Sequence, residues 1–235
     1  MKAFLLAAGF GTRLKPITDT TPKCLVPIKG KPLLYYWMKL CDKYKIQEVL
    51  INLHYLPDMV INFLKENRFA VTVRTVFEKE LRGSGGTILH NKDFVRDEES
   101  FFIFYADNLT DVNLAQMDSF HKKHNEPLTI GLFNAEVPKE CGIVELDKDK
   151  KVISFEEKPE RPKSNLANAG VYLARQEIFS FFPQEKKKID FGFDILPKLV
   201  KRMYGFVISE YLIDIGTMEK YIKAQKEWKG LKEKN

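Results

Sequence analysis

The stretch LLAAGFGTRLKPITDTTPKCLVP, residues 5 to 27, begins as the end of an apolar run and then continues without another one. A short apolar run that stops at glycine reads as a buried strand. Gly9, Gly11, Pro16 and Pro22 mark the next segment as a loop, and that loop carries Arg13, Lys15 and Lys23. A chain that leaves its first strand through glycines and cations is building something at the strand's carboxyl end, where open α/β sheets bind ligands.

The rest of the first half repeats the strand in a regular rhythm. Lys2 to Ala7 is succeeded by a helical pattern over Pro32 to Tyr44, a strand over Glu48 to Leu53, a helix near Pro57 to Glu66 and a strand over Val71 to Phe77. That alternation predicts βαβ units and a largely parallel sheet with helices on both faces. After Gly83-Ser84-Gly85-Gly86 and a short helix, SFFIFYADN (100 to 108) is a continuous apolar strand that meets an acid at Asp107. From Leu128 the texture changes to closely spaced strands, LTIGLFNA, GIVELDKDKKVISFEEKP and AGVYLA, with a hairpin turn at Asp147 to Lys150. These predict an antiparallel addition to the first sheet. A helix from about Phe193 to Met203, a strand from Phe206 to Ile213 and a terminal helix from Met218 to about Lys229 complete the expected order, with no internal repeat.

Size and composition narrow the function. With 235 residues and 44% hydrophobic content, one α/β domain with a substantial core is ordinary. The first apolar run is too short for a membrane span and lacks a secretory cleavage pattern, and three cysteines without metal-ligand spacing fit reduced thiols. A cytoplasmic protein with no membrane partner is expected. The net charge of +6 sits largely in Lys186-Lys187-Lys188 and the run from Lys226 to Lys234, which read as solvated surface. No stacking-aromatic or zinc motif accompanies them, so no nucleic acid is expected as a partner.

Two familiar phosphate loops are excluded residue by residue. A P-loop needs Gly-Lys-Ser/Thr, which is absent, and a dinucleotide fingerprint needs glycine where Leu14 stands. What remains is a strand-end loop in which the small residues Ala7, Ala8, Gly9 and Gly11 allow close approach to backbone N–H groups. Arg13 offers a planar fork of donors and Lys23 a compact charge, which together suit a substrate with several phosphates. Either cation alone would be ordinary surface charge.

The segment LAAGFGTRLKPITDTTPKCLVPIKGKPLLYY resembles the signature of the sugar-1-phosphate nucleotidyltransferases, L-A-[GA]-G-x-G-[TS]-R-[LM] followed by P-K-x-[LM]-[VL]-P-[IV]-x-x-K-P. The resemblance continues through Gly85-Gly86, YADN, SFEEKP, NAGVYL and LIDIGTMEKY, in family order along nearly the whole chain. It implies a Rossmann-like mixed, mainly parallel sheet flanked by helices, with an antiparallel addition for the sugar site. It also implies a single domain over 1–235, with 1–126 mainly for the nucleotide and 127–235 mainly for the sugar phosphate and the C-terminal helix. The reaction implied joins an NTP and a sugar 1-phosphate to give an NDP-sugar and pyrophosphate. GTP with mannose or heptose 1-phosphate is the first expectation, because LRGSGGT (81 to 87) lacks the Gln of the thymidylyltransferases. Uridylyl, thymidylyl or cytidylyl transfer, the last with choline phosphate as acceptor because of Ala106 in YADN, stays open, as does a nucleotide-sensing paralogue without turnover. A homo-oligomer is compatible with the chain.

By the same resemblance, Arg13, Lys23 and Asp107 are the catalytic set, and Leu6 to Gly9, Gly11 to Arg13, Lys23 and Gly85 bind the nucleotide. Asp107 and Asp214 are assigned to Mg2+, in keeping with the oxygen ligands and substrate phosphates that magnesium takes. Lys158 would hold the acceptor phosphate and Glu157 the sugar hydroxyls, with Gly142 and Asn168 at the border of the sugar pocket. Three further groups read as bystanders. Asp190-Phe191-Gly192 lacks the companion loops of a kinase and predicts a turn and helix start; His121 and His124 predict an exposed polar helix face; His54 predicts an ordinary loop histidine.

Overall fold

The computed structural model describes residues 1–232, so Lys234 of the C-terminal basic run lies outside the described residues. In chain order the strands and helices are β1 (Lys2–Leu6), β2 (Pro27–Ile28), β3 (Lys31–Pro32), α1 (Leu33–Lys43), β4 (Glu48–Leu53), α2 (Pro57–Glu66), β5 (Thr72–Phe77) and α3 (Gly83–His90). Next come β6 (Ser100–Tyr105), β7 (Asn108–Thr110), α4 (Leu114–His121), β8 (Leu128–Asn134), β9 (Gly142–Leu146), β10 (Val152–Glu157), β11 (Leu166–Arg175), β12 (Met203–Val207), β13 (Leu212–Asp214) and α5 (Met218–Glu227). The chain divides into two compact units that interleave along the sequence. One comprises Lys2–Leu81, Tyr105–Val112 and the segment from Glu210 onward; the other comprises Met1, Arg82–Phe104 and Asn113–Ser209.

In the first unit β1, β4 and β5 pair in parallel, in the registers Leu5↔Ile51 and Ile51↔Thr75. Phe4, Leu5, Val49, Leu50 and Ile51 are buried, as a strand covered on both faces requires. The crossovers are α1 and α2, as the alternation predicts. α1 ends where Lys45 turns to φ 55 and the Ile46 amide bonds back to the Cys41 carbonyl. The carboxyl ends of the strands are tied by polar groups: Asn52 Oδ1 accepts from the Ala7 amide at 2.8 Å, and Asn52 Nδ2 donates to Glu78 Oε1 at 3.2 Å. β7 and β13 form a short antiparallel ribbon in which Asp214 lies opposite Asn108.

The second unit is mainly antiparallel. β11 pairs with β6 and β8, β9 pairs with β10, and β8 also carries β12. The expected hairpin joins β9 to β10, where Asp147 Oδ1 accepts from the amides of Asp149 and Lys151. β11 shifts register between Asn168 and Tyr172, and Gly170 takes φ 64 within the shift. Asn168 braces it, accepting from the Gly170 amide at 3.0 Å and donating to the Tyr172 hydroxyl at 2.7 Å. The α/β class with an antiparallel addition is therefore as expected.

Two expectations differ from the structure. The helix expected over Phe193 to Met203 is a one-turn π segment, Phe191–Ile195, followed by a short 3-10 turn, Leu196–Leu199. Pro197 has no amide to continue an α-helix. The strand expected over Phe206 to Ile213 is broken into β12 and β13, and β12 pairs with β8 in parallel. No helix among the described residues is long and apolar enough to cross a membrane.

Candidate active site

The loop after β1 is held by one apolar cluster of the first unit. Leu14 and Val26 from the loop pack with Leu33 and Tyr36 of α1, Leu109 of β7, Ile213 and Ile215 at β13, and Ala224 and Trp228 at α5. Segments distant in sequence thus share one core, and their polar residues meet on its rim. The Ile215 amide donates to the Asp107 carbonyl at 2.8 Å, joining the two acid-bearing segments through backbone.

On that rim Lys23 Nζ lies 2.6 Å from Asp107 Oδ2 and 3.7 Å from Asp214 Oδ1. Lys220 Nζ of α5 approaches Asp214 Oδ2 at 3.5 Å. Arg13 is close enough for its charge to act on both Lys23 and Asp214. Burial alone would lower the Lys23 pKa; the charges of Asp107 and Asp214 and the Asp107 hydrogen bond outweigh it and hold the ammonium above its ordinary value. Asp214 is shifted upward, first by burial and then by the charge of Asp107, against the opposing pull of Lys23 and Lys220.

Glycine is required here for two reasons. Gly11 has φ 66, and a Cβ on it would stand 2.9 Å from Thr18 Cγ2 and 3.1 Å from Lys23 Cβ. The Thr18 hydroxyl donates to the Gly11 carbonyl at 2.8 Å, so loop and lysine interlock. A Cβ at Gly216 would lie 2.5 Å from Asp214 Oδ2. Lys23 and Asp214 are each seated against a glycine that has no room for a substituent.

The structure brings Arg13, Lys23, Asp107 and Asp214 together in the first unit, with Leu6 at the end of β1 and Ala7 to Gly9 and Thr12 in the loop that follows. Gly85 lies in the second unit, where its amide donates to the Ile189 carbonyl at 2.9 Å and a Cβ would strike Ile189 Cγ2 at 2.7 Å. Gly142, Glu157, Lys158 and Asn168 also belong to the second unit. Lys158 takes φ 50 and its amide donates to the Cys141 carbonyl at 3.0 Å. A Cβ on Gly142 would stand 2.5 Å from Glu157 Oε2. The Glu157 pKa is raised, chiefly by burial, with Lys158 opposing and Asp190 adding to the shift.

Lys220 escaped sequence reasoning. It sits in a helix rich in lysine, and nothing local distinguishes it from Lys223 or Lys226. The histidine pair differs from expectation. His121 is 1% exposed, and Thr129 Oγ1 bridges His121 Nδ1 at 2.7 Å and His124 Nε2 at 2.8 Å. Arg175 donates to the carbonyls of both histidines. Burial, with the charge of Arg175, lowers the His121 pKa to about 3 and that of His124 to about 4. His54 bonds to the Glu78 carbonyl at 2.7 Å. Asp111 is a buried structural partner of Lys43, at 3.0 Å.

Two carboxylates facing one cation fit a hard divalent ion. Asp214 Oδ1 is buried and makes no hydrogen bond, and Asp107 is held at its side by backbone. Among the described residues no cluster of three or more His, Cys, Asp or Glu is placed to hold a metal. A cation at this pair would complete its shell with water and substrate phosphates, as magnesium commonly does.

A family profile described as Nucleotidyl transferase matches residues 2–229. The chain is 34% identical over 230 residues to D-glycero-alpha-D-manno-heptose 1-phosphate guanylyltransferase of Aneurinibacillus thermoaerophilus, covering 97% of this chain and 98% of that one. It is 30% identical over 229 residues to Probable mannose-1-phosphate guanylyltransferase 1 of Oryza sativa subsp. japonica, covering 94% of this chain. The chain spans 63% of the length of that relative. Among solved structures, HddC from Yersinia pseudotuberculosis complexed with GMP-PN matches with a TM-score of 0.79 and 30% identity, over 96% of this chain and 98% of that one. With the profile running from β1 through α5, and so through every residue of the lysine and aspartate cluster, the chain belongs to the nucleotidyl transferase family.

Proposed function

We propose that the chain transfers a nucleotidyl group from an NTP to a sugar 1-phosphate, with GTP and mannose or heptose 1-phosphate as its substrates. The observation that carries this reading is the convergence of Arg13, Lys23, Asp107 and Asp214 on one apolar platform, with Lys23 Nζ 2.6 Å from Asp107. The choice of GTP is supported by likeness to the heptose 1-phosphate guanylyltransferase and to HddC.

In this reaction an oxygen of the sugar phosphate attacks the α-phosphorus in line, a new O–P bond forms, the bond to the β-phosphate oxygen breaks, and pyrophosphate leaves with the electron pair. The nucleophile is already anionic, so no general base is needed, and catalysis is positioning and charge stabilisation. Arg13 holds the β and γ phosphates. Lys23 turns from Asp107 to the α-phosphate, where it offsets charge that grows in the transition state. Asp107 and Asp214 would hold a divalent cation such as magnesium, which would supply positive charge to offset that of the phosphates. Lys158 binds the acceptor phosphate and Glu157 the sugar hydroxyls. Cys24, Cys41 and Cys141 form no disulfide, which supports a reducing, cytoplasmic setting.

The test is to incubate the chain and magnesium with each common NTP against mannose, heptose and glucose 1-phosphates and choline phosphate, reading pyrophosphate. Release with GTP and mannose or heptose 1-phosphate is expected. Release with another pair would keep the transfer chemistry and reassign the substrates; release with none would overturn the proposal.

A further inference from the structure

Glu157 closes β10 with its carboxylate pressed between two glycines of the second unit. A Cβ on Gly142 would meet Glu157 Oε2 at 2.5 Å, and a Cβ on Gly192 would meet the same oxygen at 2.8 Å and Glu157 Cδ at 3.1 Å. Glu157 is half-buried, so its carboxylate is shielded on the glycine side and keeps an accessible side from which a ligand could donate to it. The point a Gly192 Cβ would occupy is also 3.3 Å from Asp190 Oδ1, so two carboxylates face one small volume.

The segment bearing Asp190 and Gly192 is fastened. The amides of Gly85 and Gly86 donate to the Ile189 carbonyl at 2.9 and 3.1 Å, and the Phe191 amide donates to Ser84 Oγ at 2.8 Å. Phe191 packs edge-on against Tyr172 with ring centroids 4.9 Å apart, and Tyr172 is the residue that Asn168 bonds. Asp190 Oδ1 accepts from the Phe193 amide at 3.0 Å, and the Asp190 amide donates to Asp194 Oδ2 at 2.8 Å. The π turn over Phe191–Ile195 thus presents Gly192 to Glu157 on a rigid support.

We infer that Gly192 is a positioning residue, which leaves the Glu157 carboxylate free to read ring hydroxyls of the acceptor, with Asp190 beside it as a second acceptor group. The substrate class selected is a sugar phosphate with hydroxyls to donate. This rests on the sugar-phosphate reading of Glu157 and Lys158 proposed above. A methyl at 192 would meet the ends of the Glu157 and Asp190 side chains rather than backbone, so the fold survives and the orientation of Glu157 is lost.

The test reads binding. Calorimetry on the full chain, with and without a non-hydrolysable GTP analogue, compares mannose 1-phosphate, choline phosphate and inorganic phosphate on the unaltered chain, Gly192→Ala, Glu157→Ala and the double variant. Mannose 1-phosphate is expected to bind best. Gly192→Ala weakens it about tenfold or more, the range of a hydrogen bond to a charged group, and leaves inorganic phosphate and the melting temperature unchanged. In the Glu157→Ala background the glycine substitution adds nothing, since its partner is gone. Equal weakening of both phosphates, full additivity, an unfolded Gly192→Ala chain, or choline phosphate binding as tightly as mannose 1-phosphate would each overturn the inference. An unaltered chain that does not distinguish mannose 1-phosphate from inorganic phosphate overturns it as well. Binding through Glu157 without pyrophosphate release would instead overturn the transfer reading and leave this one standing.

Discussion

Lys23 illustrates how a residue whose type was legible in the sequence acquires meaning only from its partners. Its ammonium faces two carboxylates, so removing it takes from Asp107 its 2.6 Å ion-pair partner and from the α-phosphate its donor. Lys23→Ala is expected to lower turnover about 10²–10³-fold with the fold intact, measured as the initial rate of pyrophosphate release; a near-normal rate would remove Lys23 from the mechanism. Gly11 is the companion case. Gly11→Ala places a side chain at φ 66 and against Lys23 Cβ, so it should cost roughly 1–2 kcal/mol in denaturant unfolding through the backbone alone. It should also weaken NTP binding by displacing the lysine.

At the level of elements, α5 carries more of the site than its sequence discloses. Thr217 caps it, accepting from the Lys220 amide at 3.3 Å, and the same Lys220 extends its ammonium toward Asp214. Thr217→Ala is expected to lower stability by about 1 kcal/mol, read from chemical unfolding. The fraying of that first turn should also loosen Lys220, whose ammonium competes with a cation for Asp214, so the variant should need less magnesium to reach half-maximal rate. An unchanged magnesium titration would make the cap purely structural. β11 shows the opposite relation: its register shift at Gly170 is written in NAGVY, where Asn168 supplies both hydrogen bonds that brace it.

For the molecule as a whole, buried His121 and half-buried His124 set an acid limit. Their folded pKa values, about 3 for His121 and about 4 for His124, lie below the ordinary value of 6.5, so the unfolded chain binds protons that the folded chain refuses. Stability from this source is complete above pH 6.5 and falls as pH drops toward 4, with uptake of about two protons on unfolding. Melting temperatures measured from pH 7 to 4 should decline, and His124→Asn should flatten the slope. A parallel decline in both chains would place the acid sensitivity elsewhere.

The order of strands and helices in the first half, the hairpin at Asp147 and the residue types of the opening loop are legible from the chain alone, because period, turn chemistry and glycine demands are local. The chain also carries the resemblance that named the candidate residues. Three-dimensional packing reveals what distance in sequence conceals: that Lys220 reaches Asp214, that Gly192 backs Glu157, and that His121 is buried rather than exposed. The broken helix near Pro197 lies between the two, since its breaker was visible while the π turn that replaces part of it is held by Ser84 and Tyr172 from elsewhere in the fold. Such contacts arise where folding brings remote segments onto one surface, and no spacing along the chain encodes them.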